Sequence, residues 1–121
     1  GPEHGAFMAA ALVEDARGTE LYEQEIFGPV IALVTYEDEA AVVEEINGWG
    51  VGLAGYVCGR DLAAAEDLAD SLRIGIVGIN NGAPNTPEVP FGGFGASGIG
   101  REGGIDGYDE FTEQQSISIA R

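Results

Sequence analysis

The sequence predicts an α/β fold: a β-α-β-α-β parallel three-layer unit followed by a C-terminal strand. Three observations carry this. Short β-rich apolar runs recur at residues 30–36, 53–58 and 76–80. Stretches with apolar residues at helical spacing separate them. The connections are short, which favours parallel strands joined by right-handed crossovers. With 121 residues, 45% of them hydrophobic and 21% charged, the chain suits one compact domain or a piece of a larger one.

Residues 5–24 are weakly patterned, with an apolar run from Ala9 to Val13 and acidic residues after it. After Pro29, Val30-Ile31-Ala32-Leu33-Val34-Thr35-Tyr36 is long enough for a buried strand. Thr35 or Asp38 can cap the next helix, whose apolar positions Val42, Val43, Ile46 and Trp49 follow a 3.6-residue period. Asn47-Gly48 ends it. The second strand is followed by a helix that Asp61 caps, with Leu62, Ala65, Leu68, Ala69 and Leu72 on its inner face. Gly75 stops that helix, and Ile76-Val77-Gly78-Ile79-Asn80 is the third strand. Residues 81–100 hold three Pro and six Gly, a loop long enough to suggest binding or function. A short helix is predicted over 101–111. The tail alternates as Ser116-Ile117-Ser118-Ile119, a half-buried strand that wants an edge from another subunit. Strands this apolar need cover on both faces, so the remainder of the sheet is expected elsewhere and the chain is read as truncated.

The charge bounds the partners. There are 21 acidic residues against five Arg and no Lys, a formal net charge of −16. Such a field repels nucleic acid and anionic membrane surfaces, so neither is expected as a partner. The acidic residues are spread along the chain and read as solvated surface. A salt-adapted source is a hypothesis that follows, since salt screens like-charge repulsion. No run approaches the roughly 20 apolar residues of a membrane span. Gly1-Pro2-Glu3-His4 carries no secretory signal and no initiator Met. A single cysteine, Cys58, forbids an internal disulfide and suits a cytoplasmic location.

Several residues invite chemistry that the pattern does not support. Gly50-Val51-Gly52-Leu53-Ala54-Gly55 and Gly93-Phe94-Gly95-Ala96-Ser97-Gly98 both spell G-x-G-x-x-G. A dinucleotide fingerprint must follow a strand and open a helix. The first string follows a helix and the second a Pro-rich loop, so turn and packing glycines are the better reading. Cys58 lies in an apolar strand and is expected to be buried and inert. One Cys and one distant His, His4, make no metal site. Pairs such as Glu37/Glu39 and Glu44/Glu45 are expected to face solvent, with no acid–base role.

Two longer stretches are specific. Glu23-Gln24-Glu25-Ile26-Phe27-Gly28-Pro29 resembles the E-E-x-F-G-P signature of NAD(P)-dependent aldehyde dehydrogenases. Pro90-Phe91-Gly92-Gly93-Phe94-Gly95-Ala96-Ser97-Gly98-Ile99-Gly100-Arg101-Glu102 resembles their P-F-G-G-x-K-x-S-G-x-G-R-E signature near the C-terminus. Tyr56-Val57, Arg60-Asp61-Leu62 and Gly78-Ile79-Asn80 match at the intervening positions. The resemblance implies that residues 1–112 are the C-terminal part of the catalytic domain and 113–121 an oligomerisation tail strand. It makes Glu25 the carboxylate that accepts from the nicotinamide ribose hydroxyls, with Phe27 packed beside the nicotinamide of NAD or NADP. It sets Phe91 in the aldehyde entry channel. It makes Arg101 and Glu113 an ion pair that stabilises the subunit interface of a homo-dimer or homo-tetramer.

The departures are Gly95 in place of the usual Lys, Gln24 in place of the first Glu, and Met8-Ala9-Ala10-Ala11 where the family commonly has Pro-Thr. The family's Cys nucleophile, its oxyanion-holding Asn and its water-activating Glu lie upstream of Glu25. The chain alone is therefore expected to be inactive, with no catalytic residue of its own. Residues 82–91 resemble the substrate loop of succinate-semialdehyde dehydrogenases. Asn85 stands where a Ser helps bind the substrate carboxylate, and Asn also donates such a bond; a turn residue is the equal alternative. The function implied is oxidation of an aldehyde, such as an acid semialdehyde, through a thiohemiacetal and thioester on the absent Cys. A non-catalytic assembly or binding module on the same fold, and a free-standing phosphate-binding domain, are the competing readings.

Overall fold

A computed structural model describes residues 4–121. Gly1, Pro2 and Glu3, read above as a start without a signal, lie outside the described residues. The chain divides into two compact units, Gly1–Val42 and Val43–Arg121.

In the first unit, β1 (Ala11–Glu14) and β2 (Val30–Leu33) pair in parallel, with Leu12 opposite Ile31 and Val13 opposite Ala32. A single turn of helix, α1 (Glu20–Glu23), lies in their connection. Asp15 takes a left-handed φ of 54° immediately after β1. The chain turns away there, which leaves residues 34–36 without an edge and ends β2 at Leu33. Ala16 is buried beneath the turn, and the Thr19 hydroxyl donates to its carbonyl at 2.6 Å. Leu12, Ile31 and Leu33 share one face of the pair, and all three are exposed.

Helix α2 (Glu39–Gly48) spans the boundary between the units. Of the two candidate caps it uses Asp38, whose carboxylate accepts from the Ala41 amide at 3.2 Å. Val42, Val43 and Ile46 are half-buried, while Trp49 falls past the last turn and is exposed.

The second unit is built on β4 (Ala54–Val57), α3 (Leu62–Ser71) and β5 (Ile76–Ile79). β4 and β5 pair in parallel from Ala54 opposite Ile76 to Val57 opposite Ile79, and α3 packs on both. Asp61 caps α3 by accepting from the Ala64 amide at 3.2 Å. The helix buries Ala65, and Leu68, Ala69 and Leu72 are half-covered, as their spacing predicts; Leu62 stays exposed. Beyond the strand ends, Asn80 (φ 51°) bonds both backbone groups of Gly59, accepting from its N–H at 2.9 Å and donating to its carbonyl at 2.8 Å. Asn47 at the end of α2 likewise donates to Ser71 O and accepts from the Arg73 amide. Two-residue strands β3 (Val51–Gly52) and β6 (Phe94–Gly95) pair antiparallel, and α4 (Gly104–Asp109) follows.

The α/β class with parallel strand pairs holds, but the pairing differs from one continuous three-stranded order. The first predicted strand pairs with β1, from the weakly patterned amino end, while the other two pair with each other. One expectation needs correction. β4 ends at Val57, so Cys58 is exposed where burial was expected. Residues 113–121 are exposed and pair with no strand within this chain; the expected tail strand is one that the edge of a second subunit would complete.

Among the described residues, the buried apolar side chains are Ala16, Val57 and Ala65, and no polar or charged residue is buried. Larger side chains such as Leu12, Ile31, Tyr56 and Phe111 stay in the open. Full burial of one such side chain stabilises by about 1.5–3 kcal/mol. These faces are therefore built for apolar cover. Among the described residues no helix is long and apolar enough to cross a membrane.

Candidate functional site

The two glycine strings are each other's partners. Val51 pairs with Gly95 and Gly52 with Phe94, the Ala96 amide donates to Gly50 O at 2.9 Å, and the Gly52 amide donates to the Ser97 hydroxyl at 2.9 Å. Gly95 has φ +59°, and a side chain there would run into the Gly50 carbonyl. Neither string follows a strand to open a helix.

This pairing anchors the long loop, whose other end folds on itself. Phe91 and Glu102 form an antiparallel bridge, with N–O distances of 2.7 and 2.8 Å. The Gly104 amide donates to Pro87 O at 2.9 Å. Gly103 (φ +74°) lies so near the Val89 carbonyl that a Cβ would stand 2.7 Å from it, so the close crossing requires glycine. A cleft of about 330 Å³ results, lined by Asn85, Thr86, Pro87, Val89, Phe91 and Glu102. The two residues singled out for the substrate, Asn85 and Phe91, thus lie on one surface. On the same loop, Glu88 is held below its ordinary carboxylate range by the Thr86 hydroxyl and by its own backbone N–H.

Glu25 and Phe27 lie in the first unit, between α1 and β2. Consecutive tight bonds, Gly28 N to Ile26 O at 2.9 Å and Val30 N to Gly28 O at 2.8 Å, fix the backbone there. The side chains point out: Glu25 is exposed, and Phe27 is 94% exposed. Beside them, an apolar hollow of about 480 Å³ is lined by residues of both strands, Leu12 and Ile31 among them.

Arg101 is half-buried, and its guanidinium Nη1 donates to Gly100 O at 2.7 Å and Gly93 O at 3.1 Å. It lies over the Phe94 ring at 5.4 Å. Its amide donates to the Glu110 carboxylate at 3.2 Å. Within the chain Arg101 and Glu113 do not pair: Nη1 is directed at the two carbonyls and Glu113 lies in the exposed tail. Sequence reasoning missed this clamp and the Ser97 link. The one signal for either is a hydrogen-bonding side chain inside or beside a glycine-dense stretch.

The comparisons with known proteins agree on what carries such a loop. A profile of the aldehyde dehydrogenase family matches residues 1–117. The chain belongs to the aldehyde dehydrogenase family. A Staphylococcus aureus (strain USA300) protein bearing an aldehyde dehydrogenase name is 44% identical over 96 residues, 79% of this chain and 20% of its own length. The Mycobacterium tuberculosis aldehyde dehydrogenase complexed with NAD+ superposes with a TM-score of 0.84 at 36% identity, covering 90% of this chain and 23% of that one. Betaine aldehyde dehydrogenase from Staphylococcus aureus, in complex with NAD+, gives 0.76 at 34%, covering 83% and 20%. This aldehyde dehydrogenase segment thus spans about a fifth of the length of the curated relatives it matches.

Proposed function

We propose that the chain is the C-terminal part of an oxidoreductase that oxidises an aldehyde to a carboxylic acid with NAD(P)+, and that it supplies binding surfaces and not the nucleophile. The observation that carries this is the cleft shared by Asn85 and Phe91 on the signature loop. A semi-apolar wall of Pro87, Val89 and Phe91 stands beside the Asn85 amide, the Thr86 hydroxyl and the Glu102 carboxylate; the two donors suit a small aldehyde with a polar far end, such as an acid semialdehyde, and succinate semialdehyde is the specific candidate. Phe91 and Val89 would cover its carbon chain and exclude water, and Asn85 would donate to its carboxylate.

Glu25 and Phe27 suit the cofactor by their chemistry. An exposed carboxylate accepts from vicinal ribose hydroxyls, and an exposed ring offers a flat face to a nicotinamide. Bound there, NAD(P)+ supplies the hydride acceptor. The contribution of Glu25 is orientation, which counts because hydride transfer depends on near-contact geometry. The tail would add its strand to a second copy in a homo-dimer or homo-tetramer, with Arg101 and Glu113 near that interface. The single cysteine favours the cytoplasm as its location.

Kinetics of the complete enzyme that carries this segment test the reading. Glu25→Gln raises the KM for NAD(P)+ about tenfold and leaves the aldehyde KM near its starting value, while Phe91→Ala does the reverse. The isolated chain yields no NAD(P)H from any aldehyde. A complete protein that oxidises no aldehyde would favour the assembly module, and NAD(P)H production by the isolated chain would refute the division of labour.

A further inference from the structure

We propose that Arg101 is a positioning residue for the substrate cleft, acting through the loop backbone of its own chain. The inference rests on the reading of that cleft as an aldehyde wall and adds what holds the wall in place.

The geometry singles out Arg101 in three ways. Its Nη1 bonds the carbonyls of Gly93 and Gly100, which flank the turn carrying Ser97. One cation therefore ties both ends of a glycine-dense segment that has little side-chain packing of its own. The residues on either side of that tie, Phe91 and Glu102, form the two-way backbone bridge that sets the cleft wall. Finally, Gly92 is closely wrapped by this tie: a Cβ there would run first into the Gly100 carbonyl that Nη1 bonds, and would stand 2.8 Å from both Cδ and Nη1 of Arg101. The backbone next to Phe91 thus leaves room for the Gly100 carbonyl and for the guanidinium that bonds it.

Arginine suits the task. Its planar head donates to two carbonyls while stacking over Phe94. Without it, two half-buried carbonyls lose their donor, and the glycines between them regain backbone freedom. Phe91 then samples positions away from the cleft, which weakens aldehyde binding and leaves the cofactor contacts of Glu25 untouched.

The test compares Arg101→Lys, Arg101→Met, Glu113→Gln and Phe91→Ala in the complete enzyme. It reads amide hydrogen exchange over residues 91–102, both KM values, and elution volume as a measure of assembly. The expected result is a graded order. Exchange over 91–102 quickens from wild type to Lys to Met. The aldehyde KM rises in the same order, to about fivefold for Met, the weight of one hydrogen bond, while the KM for NAD(P)+ stays fixed. Glu113→Gln alters neither exchange nor aldehyde KM. If Arg101→Met does not assemble, Lys against wild type still decides the order. Unchanged exchange in the arginine variants, or a Glu113→Gln variant that reproduces their effect, overturns the proposal in favour of a purely inter-subunit role. If Phe91→Ala leaves the aldehyde KM unmoved, the reading of the cleft fails instead, whatever the exchange shows.

Discussion

Thr86 lowers the titration of its neighbour Glu88 on the cleft loop, and that is measurable at a single carboxyl. Its hydroxyl donates to the Glu88 carboxylate, which favours the ionised form and lowers the titration from the ordinary 4.5. A depressed folded value contributes stability above the unfolded value and loses it as pH falls through the folded one. The window therefore lies below 4.5, and neutral pH is unaffected. Thr86→Val should return Glu88 toward its ordinary value, read as an upward shift of its carboxyl NMR titration; an unmoved curve would contradict the bond. At this scale the sequence was most legible where a side chain belongs to a long motif. Phe91 stands in the signature motif and Asn85 in the loop that leads into it, and both line one cleft. Cys58 is exposed against expectation because its burial depends on a strand boundary, and the strand stops one residue earlier. For the Arg101 clamp the sequence offers only a hydrogen-bonding side chain beside a glycine-dense stretch, because its acceptors are backbone carbonyls, which every residue has.

Elements with a full period were readable, and elements shorter than one were not. Helix α3 shows its apolar stripe and its cap in the sequence, and both stand in the structure. Asp61→Ala should cost about 1 kcal/mol, the usual weight of an N-cap, seen as a lower urea midpoint at unchanged slope. No change would mean that packing alone holds the helix. β3 and β6 have two residues each and no alternation to read. β1 lacks alternation as well, since its four residues are three apolar ones and Glu14. Its partner strand was visible, but which edge that strand would find was not, because pairing is decided by turns such as the one at Asp15. The tail has the alternation of a strand yet carries none here, because alternation records a preference and only a partner edge realises it.

For the molecule as a whole, charge and bare apolar faces point the same way. A net charge of −16 without lysine makes self-repulsion a standing cost. Screening shortens from about 10 Å at 0.1 M salt to about 3 Å at 1 M, so thermal stability should rise across that range. An unchanged melting midpoint would remove the salt-adapted reading. The exposed faces of β1 and β2 ask for apolar cover, so Ile31→Asp should improve the solubility of the isolated chain and destabilise the complete enzyme. Central to the account is that Glu25 serves the cofactor and the cleft of Asn85 and Phe91 serves the aldehyde. The most direct measurement is a structure of the complete enzyme with NAD(P)+ and an unreactive aldehyde analogue. The expected result is the ribose hydroxyls within hydrogen-bond distance of Glu25 and the analogue against Phe91. A ribose held elsewhere, or an analogue remote from residues 85–91, would contradict it.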